Sequence, residues 1–540
     1  MANKNILLIE PGYKNKYPPL GLMKIAQYHG PFGKRDRVTF IKGENPSVLG
    51  TAWDRIYITT LFSFEFAKIA QSIDFALKVA NGDADKVFVG GIAASLMPEK
   101  FADHAPWRGV RFIQGLLTDP PARALKLDAY SEELYSDDVD GPAIEDLVPD
   151  YTILDQIEYQ YPVRDAYFAY ASRGCIRKCA FCGVPKLEGA QRDSASLTSV
   201  VRNIEAHYGP KKDLILMDNN VVASARFQEI IAEIRDLGFV PNAKLTVGRT
   251  PVQRRVDFNQ GVDARILCKD PGYLRALATI CLKPLRIAFD HLGLIQPYEQ
   301  AVRYAHEFGL MSMSNYMLYN FHDDPADLFE RMRINVKLNE ELGIRIWSFP
   351  MRYQPTWLPD RSHIGEKWTR YQLRSMQLIL QATHGVVSGE PVFFKRAFGN
   401  TSIEFEHILM RPHHYIFNRD WYEFHGGRAH LREYQQEFSK LGASEKSELL
   451  SLISSVGPCD IHNQIQRATT KRVKSIMRHY VPLPKNQEAA IWAQQRSLQQ
   501  RIDHSIIVPD DERVEDAGIF AEDSLPPKMT TITEKAAAVA

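Results

Sequence analysis

The first 130 residues alternate short apolar runs with amphipathic stretches. The runs NILLIEP, RVTFIKG, RIYITTLF, KVFVGGIA and RFIQGLL are of strand length and rich in Ile and Val. Between them, PLGLMKIAQYHG and FEFAKIAQSIDFALKVANG read as helices, the second with apolar residues at helical spacing. Apolar strands alternating with helices predict a doubly wound parallel sheet covered on both faces, over residues 1–130. Sheets of this kind bind ligands at the carboxyl ends of their strands. Those ends carry Glu10, Pro11 and Gly12, then Thr59 and Thr60, then Gly90 and Gly91.

Residues 131–160 break the pattern. SEELYSDDVDGPAIEDLVPDYTILD is acidic, holds two prolines and a glycine, and keeps no amphipathic period, which predicts a surface linker. A second αβ series covers residues 161–360. Its strands read DAYFAYASRG, DLILMDNN, VDFNQGVDARI, LRIAFDH, MSMSNYMLYNF and RIWSFPMRYQP, with helical stretches between. Six strand–helix steps in about 200 residues predict a (β/α)6 partial TIM barrel; a full eight-unit barrel uses more chain. Strand signals then fade, and residues 361–508 read as a mostly helical domain. Residues 509–540 are polar, mostly acidic and aperiodic, which predicts a disordered tail.

Composition adds exclusions. A net charge of +1 offers no global field for gathering nucleic acid or an anionic membrane. No apolar run is long enough to span a bilayer, and the start MANKNILLIEPGY lacks the features of a signal peptide. Six cysteines in 540 residues, three of them clustered, do not make a disulfide framework, so a reducing, cytoplasmic setting is expected.

The clustered cysteines carry the chemistry. ASRGCIRKCAFCGVP, residues 171–185, places Cys175, Cys179 and Cys182 on a loop just after a strand, spaced C-x-x-x-C-x-x-C. Three thiolates hold three corners of a 4Fe–4S cube and leave one iron open as a reaction site. Two plainer readings stand beside this one. Structural zinc wants four protein ligands, usually as two separated pairs, and Cys268, Cys281 and Cys459 are isolated. Buried free thiols do not usually come three to one glycine-containing loop.

The loop RGCIRKCAFC, with Phe181 just before the third cysteine, resembles the radical S-adenosylmethionine superfamily, as do the six strand–helix units that follow. The resemblance implies a cluster on Cys175, Cys179 and Cys182 that cleaves S-adenosylmethionine to a 5′-deoxyadenosyl radical, with Phe181 near the adenine. It also implies contacts to S-adenosylmethionine from the following strand ends. Asp218 and Asn219 stand where the family commonly has a Gly-Gly-Glu type loop for the amino group, a departure from its pattern. Asp263 and Arg265 share one face if the FNQGVDARI stretch is a strand, and an arginine fork suits a carboxylate. Asp290 and His291, and Arg352 and Tyr353, are weaker candidates at later strand ends.

The order of a parallel αβ domain, an acidic linker and the cysteine loop resembles the cobalamin-binding-domain branch of that superfamily. EPGYKNKYPPLGLMKIA, ITTLFSFEFAKIA and VFVGGIAASLMPE carry the likeness in the first domain. It implies cobalamin near Pro11, Gly12, Thr59, Thr60, Gly90 and Gly91. The D-x-H-x-x-G signature is absent, since Asp103 and His104 are adjacent. Cobalamin would therefore bind without a histidine below cobalt, or the domain has kept only a packing role. The first domain holds no cysteine, which excludes the methylthiolating members.

The expected activity is cobalamin-dependent methyl transfer to an unactivated carbon. Two alternatives stay open: a cobalamin-independent rearrangement or cyclisation with a relict first domain, and a non-catalytic nucleic-acid-binding protein braced by metal. Expected partners are a small-molecule or peptide substrate and an electron donor such as flavodoxin or ferredoxin, with no membrane. In the C-terminal region, His407, His413, His414, His425 and His430 lie among aromatics, a candidate substrate-facing surface. The basic segment KRVKSIMRHY reads as a solvated helix face.

Overall fold

In the computed structural model, which describes residues 3–118 and 143–503 apart from 248, 382–384, 386, 388 and 456–459, the five apolar runs of the first region are strands. They are β1 (Asn5–Glu10), β2 (Arg37–Lys42), β3 (Arg55–Thr60), β4 (Val87–Gly91) and β5 (Arg111–Phe112). All pairings are parallel, in the order β2-β1-β3-β4-β5. Chain direction across the sheet reverses between β1 and β3, the switch point at which doubly wound sheets take ligands.

Side chains alternate between two cores. Leu7, Ile9, Ile56, Ile58, Val87 and Val89 face the helix Phe66–Val79, where Ile69, Ile73 and Ala76 meet them. Ile6, Leu8, Phe40, Tyr57 and Phe88 face the helix Leu20–His29 and belong to the same core as the second αβ region. The first sheet is therefore packed directly onto the rest of the chain.

The linker takes part in that packing. Ile144, Tyr151, Ile153 and Leu154 are buried in the shared core, and Tyr151 donates its hydroxyl to the Ala166 carbonyl at 2.8 Å. The expected surface linker, whose residues 155–160 are exposed or half-buried, is thus wrong for residues 144–154. Their apolar residues have no period because short 3-10 turns, Ile144–Asp146 and Thr152–Gln156, present them. The linker's earlier part, within 119–142, and the expected disordered tail, 509–540, lie outside the described residues.

The second series adds β6 (Ala166–Ala169), a two-stranded pair β7 (Ser172–Arg173) and β8 (Arg192–Asp193), and β9 (Asp213–Leu216). A hairpin of β10 (Lys244–Val247) and β11 (Thr250–Gln253) precedes β12 (Val256–Phe258), β13 (Leu285–Arg286), β14 (Ser312–Tyr319) and β15 (Arg345–Arg352). Parallel β6-β9-β12 and parallel β13-β14-β15 are joined by parallel bridges Val256↔Leu282 and Val262↔Ile287. Helices Leu197–Tyr208, Phe227–Asp236, Gly272–Leu277, Ile295–Glu307 and Pro325–Leu342 connect the strands. The architecture is six parallel strands in chain order.

One expected strand is shorter than its sequence suggested. In FNQGVDARI the regular strand ends at Phe258 and only Val262 pairs again, because Gly261 turns with φ +86° and Asp263 caps the helix Ala264–Leu267. Asp263 and Arg265 therefore do not share a strand face. They sit at the start of a helical turn.

Beyond β15 the described chain is mostly helical. Helices Arg370–Gln381, Pro391–Phe398 and Ser402–Leu409 bury Leu373, Phe394 and Phe405 in the main core. Arg428–Ser439, Ala443–Ser454 and Lys471–Met477 close a separate core around Tyr434, Leu449 and Ile476. The stretch HNQIQRATTKRVKSIMRHYV holds two helices, Ile461–Arg467 and Lys471–Met477, split where Thr470 caps the second by accepting from the Val473 amide at 3.2 Å. No helix among the described residues is long and apolar enough to cross a membrane.

Candidate metal centre

The strand β6 delivers the chain to the cysteine loop, and Gly174 makes the entry. Its φ is +73°, and a Cβ there would lie 2.3 Å from the Ala190 carbonyl oxygen, so only glycine fits. The loop then runs through Cys175, Cys179 and Cys182, all half-buried. The amides of Arg177 and Val184 point at the sulfurs of Cys175 and Cys182, at 3.3 and 3.5 Å. Such N–H···S contacts favour thiolates. Burial pushes the Cys179 and Cys182 thiols above their ordinary pKa, and the neighbouring cysteines and Asp290 add to it. Metal ligation removes that cost, since a coordinating thiol is deprotonated outright.

The three sulfurs thus converge on one region. Three thiols on one loop fit an iron–sulfur cluster with one iron open.

Two carboxylates hold the loop. Asp263 accepts from Arg177 Nε at 2.6 Å and from Arg265 Nε at 2.8 Å. Burial raises its pKa, but the bonds from Arg265 and Arg177 outweigh this and keep the carboxyl below its ordinary value. Glu188 accepts from the Gly174 amide at 2.8 Å and from Asn219 Nδ2 at 3.0 Å. Glu188 also faces Arg173 at 3.5 Å; Arg173 pairs with Glu145 at 3.1 Å, and Glu145 with Lys24 at 3.1 Å. This chain of charges runs from the first domain through the linker to the loop. The sequence reading missed Arg177, Glu188 and Arg173. Arg177 lies inside the cysteine motif, which was the available signal; Glu188 and Arg173 carried none.

Asp218, expected to face a ligand's amino group, faces the chain. It is buried, and its oxygens accept from the Ala171 amide at 2.9 Å, the Ser172 amide, and the Ser172 hydroxyl at 2.7 Å. Burial pushes its pKa up to about 6 even so. Asn219 likewise spends its amide on Glu188 and the Gly174 carbonyl. Both residues brace the loop. Phe181 meets Phe321 edge-on at 5.8 Å, and Phe321 meets Tyr353 at 4.7 Å, so the loop's aromatic joins the ends of β14 and β15. Asp290 is half-buried and acts electrostatically on Cys179, Cys182 and Arg265; burial raises its pKa.

The carboxyl edge of the first sheet faces this loop. The helix Ile92–Leu96, which follows Gly91, packs on the helix Val184–Leu187. A Cβ on Gly183 would lie 2.8 Å from Leu96 Cδ1 and 3.7 Å from Thr356 Cγ2. Arg361 lies 4.1 Å over the Phe64 ring. Among the buried polar atoms without a hydrogen-bond partner are Glu65 Oε1 and both amide atoms of Gln354.

The residues expected at cobalamin divide. Thr59, Gly90 and Gly91 are half-buried on the facing edge and Gly12 is exposed, whereas Pro11 and Thr60 are buried. The Thr60 hydroxyl donates to the Gly90 carbonyl at 2.9 Å and accepts from the Ala94 amide at 3.0 Å. Beside Pro11, Glu10 accepts from Lys42 at 2.6 Å, Asn15 at 2.8 Å and Tyr161. His29 is tied to Asp36 and Tyr57, and His104 lies against Trp107. A corrinoid here would have no imidazole from either, while the unpartnered Glu65 and Gln354 atoms suit the amides of a corrin rim.

The histidines of the C-terminal region are not one exposed surface. His413 stacks on Tyr371 at 4.0 Å and His414 lies against Tyr415 and Tyr422. Burial lowers their pKa values to about 3 and about 4. Only His425 and His430 of the five are exposed.

No protein-family model and no curated protein sequence matches the chain. Among solved structures, it is similar to TsrM from Kitasatospora setae, a radical S-adenosylmethionine methyltransferase with cobalamin and a 4Fe–4S cluster bound. The identity is 15%, the TM-score 0.44, and the match covers 66% of this chain and 77% of that one.

Proposed function

We propose that this chain is a radical S-adenosylmethionine enzyme whose cluster is held by Cys175, Cys179 and Cys182. The observation that carries the reading is the loop itself. Three half-buried thiols in C-x-x-x-C-x-x-C spacing follow the first of six parallel strands. When bound, the cluster supplies the electron that cleaves S-adenosylmethionine, drawn from a donor such as flavodoxin or ferredoxin.

The protein's work is positioning and exclusion of water. Glu188 holds the loop's entry at Gly174, Asp263 holds Arg177 between the first two cysteines, and Asp218 fixes the strand that enters it. Arg265, held by Asp263 through Nε and Nη2, keeps Nη1 for a ligand carboxylate. Asp290, a half-buried carboxylate that acts on Cys179 and Cys182, takes the role first expected of Asp218, that of meeting an ammonium group. Phe181 offers an apolar face beside Phe321.

The finer reading is methyl transfer to an unactivated carbon, with cobalamin between the first sheet's edge and the loop. The unpartnered Glu65 and Gln354 atoms support it. A second reading, radical chemistry without cobalamin, is favoured by the closed Thr60–Gly90 and Glu10–Lys42 contacts. One anaerobic assay separates them. The reconstituted protein is given S-adenosylmethionine and a strong reductant, with and without hydroxocobalamin. 5′-Deoxyadenosine together with cobalamin-dependent S-adenosylhomocysteine supports methyl transfer. Deoxyadenosine indifferent to cobalamin supports the second reading. A chain that keeps no iron on reconstitution sinks both.

A further inference from the structure

We propose that Glu433, Glu437 and His479 form a binding site for one divalent cation of the zinc class, separate from the cysteine loop. The two glutamates stand one turn apart on the helix Arg428–Ser439, so they share a face. His479 comes from the turn Arg478–Tyr480, at the end of the segment that read as a plain basic helix. One ligand atom from each of the three lies within 4.8 Å of the others.

The donors are oriented by bonds that leave their ligand atoms unused. His479 is nine-tenths buried, with side-chain exposure of 10%. Its Nδ1 is 2.8 Å from the Tyr415 hydroxyl. With Nδ1–H donated there, Nε2 turns its lone pair toward Glu437, the arrangement by which a protein fixes a metal-binding imidazole. Glu437 uses Oε1 to accept from the Ser475 hydroxyl at 2.7 Å. Its Oε2 is wholly buried and has no hydrogen-bond partner.

The spacing decides between an ion pair and a shared cation. His479 Nε2 and Glu437 Oε2 are 3.6 Å apart, too far for a hydrogen bond. Two donors each about 2.1 Å from one tetrahedral ion lie about 3.4 Å apart. Glu433, exposed at the rim, closes the third corner and leaves the fourth to water. One imidazole nitrogen with two carboxylate oxygens suits zinc better than magnesium or calcium, which take oxygen ligands. The bound ion would tie the helix to the turn and, through Tyr415, to the helix His413–Phe417.

The test uses the full chain with Cys175, Cys179 and Cys182 changed to alanine, so that the loop takes no zinc. After equilibrium dialysis at low-micromolar free zinc, the metal per chain is measured by mass spectrometry. One zinc per chain is expected. Glu433→Gln, an isosteric change at an exposed position, and His479→Ala should each weaken binding at least tenfold. Tyr415→Phe should weaken it by about tenfold or more through the freed imidazole. Zinc should raise the melting temperature of the parent and leave that of Glu433→Gln unmoved. The same difference of one zinc is expected between the chain with its thiols intact and its Glu433→Gln variant. No zinc on the parent, or zinc held equally well by Glu433→Gln and His479→Ala, overturns the site.

Discussion

Arg177, between the first two cysteines, donates its Nε–H to Asp263 at 2.6 Å across 86 residues of sequence. The same carboxylate accepts from the Arg265 amide at 3.0 Å and caps the helix Ala264–Leu267. One side chain thus starts the helix Ala264–Leu267 and holds the cysteine loop.

Removing it should therefore cost on two accounts. Asp263→Ala loses the cap, about 1 kcal/mol, and strands two arginines. Both are more than a third exposed, so water screens most of that loss. A total near 1–2 kcal/mol is expected in urea melts at neutral pH. The carboxyl's folded pKa lies below its ordinary value, so its contribution is complete above about pH 4 and falls away as pH drops through the folded value. The wild-type and Asp263→Ala curves should converge in acid. Curves that stay parallel to pH 2 would show that charge plays no part. Asp263→Asn, which keeps a capping oxygen, should lie between the two.

The cysteines should sort into two kinds. Alanine at Cys175, Cys179 or Cys182 should remove the iron–sulfur absorbance and the stoichiometric iron, with little change in melting, since these side chains are half-buried on a loop. Cys281 is 8% exposed in the main core, and burial holds its thiol up near pKa 11. Its replacement by alanine should leave iron content intact and lower stability by about 1 kcal/mol, as for a small buried apolar group. Iron retained in any of the three loop variants would count against the cluster.

Two adjacent glycines at the first sheet's edge give a sharp contrast. Gly91 has φ +106°, and a Cβ there would lie 2.8 Å from the Thr60 carbonyl oxygen and 2.9 Å from its nitrogen. Gly91→Ala should cost about 2–4 kcal/mol, from the positive φ and from the clash with a neighbouring strand. A Cβ on Gly90 finds its nearest neighbour at 3.6 Å, so Gly90→Ala should cost under about 1 kcal/mol. Both predictions are checked by denaturant melts of the ligand-free chain. Equal costs would mean that Gly91 is not held by backbone geometry.

The inner strands β1, β3 and β4 were legible because each is largely an apolar run, and a run of that kind is buried on both faces whatever packs there. The cysteine motif was legible because its spacing is local. Asp263 and Arg265 were misread because a period of two was carried across Gly261, where the chain turns. Asp218 was read as a ligand contact from its place at a strand end, but its partners, Ala171 and Ser172, are more than 40 residues away. Glu188 and His479 were passed over for the same reason. A side chain's task depends on neighbours that folding supplies, and no local pattern encodes them.

The buried pair Asp257–Arg286 is a last case of such a long-range partner. Arg286 on β13 forms two 2.8 Å bonds to Asp257 on β12, and donates to the Ser314 hydroxyl on β14 at 3.0 Å. Both side chains are about 5% exposed or less. Two charges taken from water at such depth are held by one another, so breaking the pair costs far more than the pair itself contributes. Asp257→Ala should lose about 3–5 kcal/mol and leave a buried guanidinium without its anion. Replacing both, as Asp257→Leu with Arg286→Met, should recover most of that loss, because apolar residues of similar volume need no partner. The double-mutant cycle in urea is the measurement. If the double variant is as unstable as the sum of the two singles, the pair is not coupled and the bridge across β12, β13 and β14 is not what holds these strands in register.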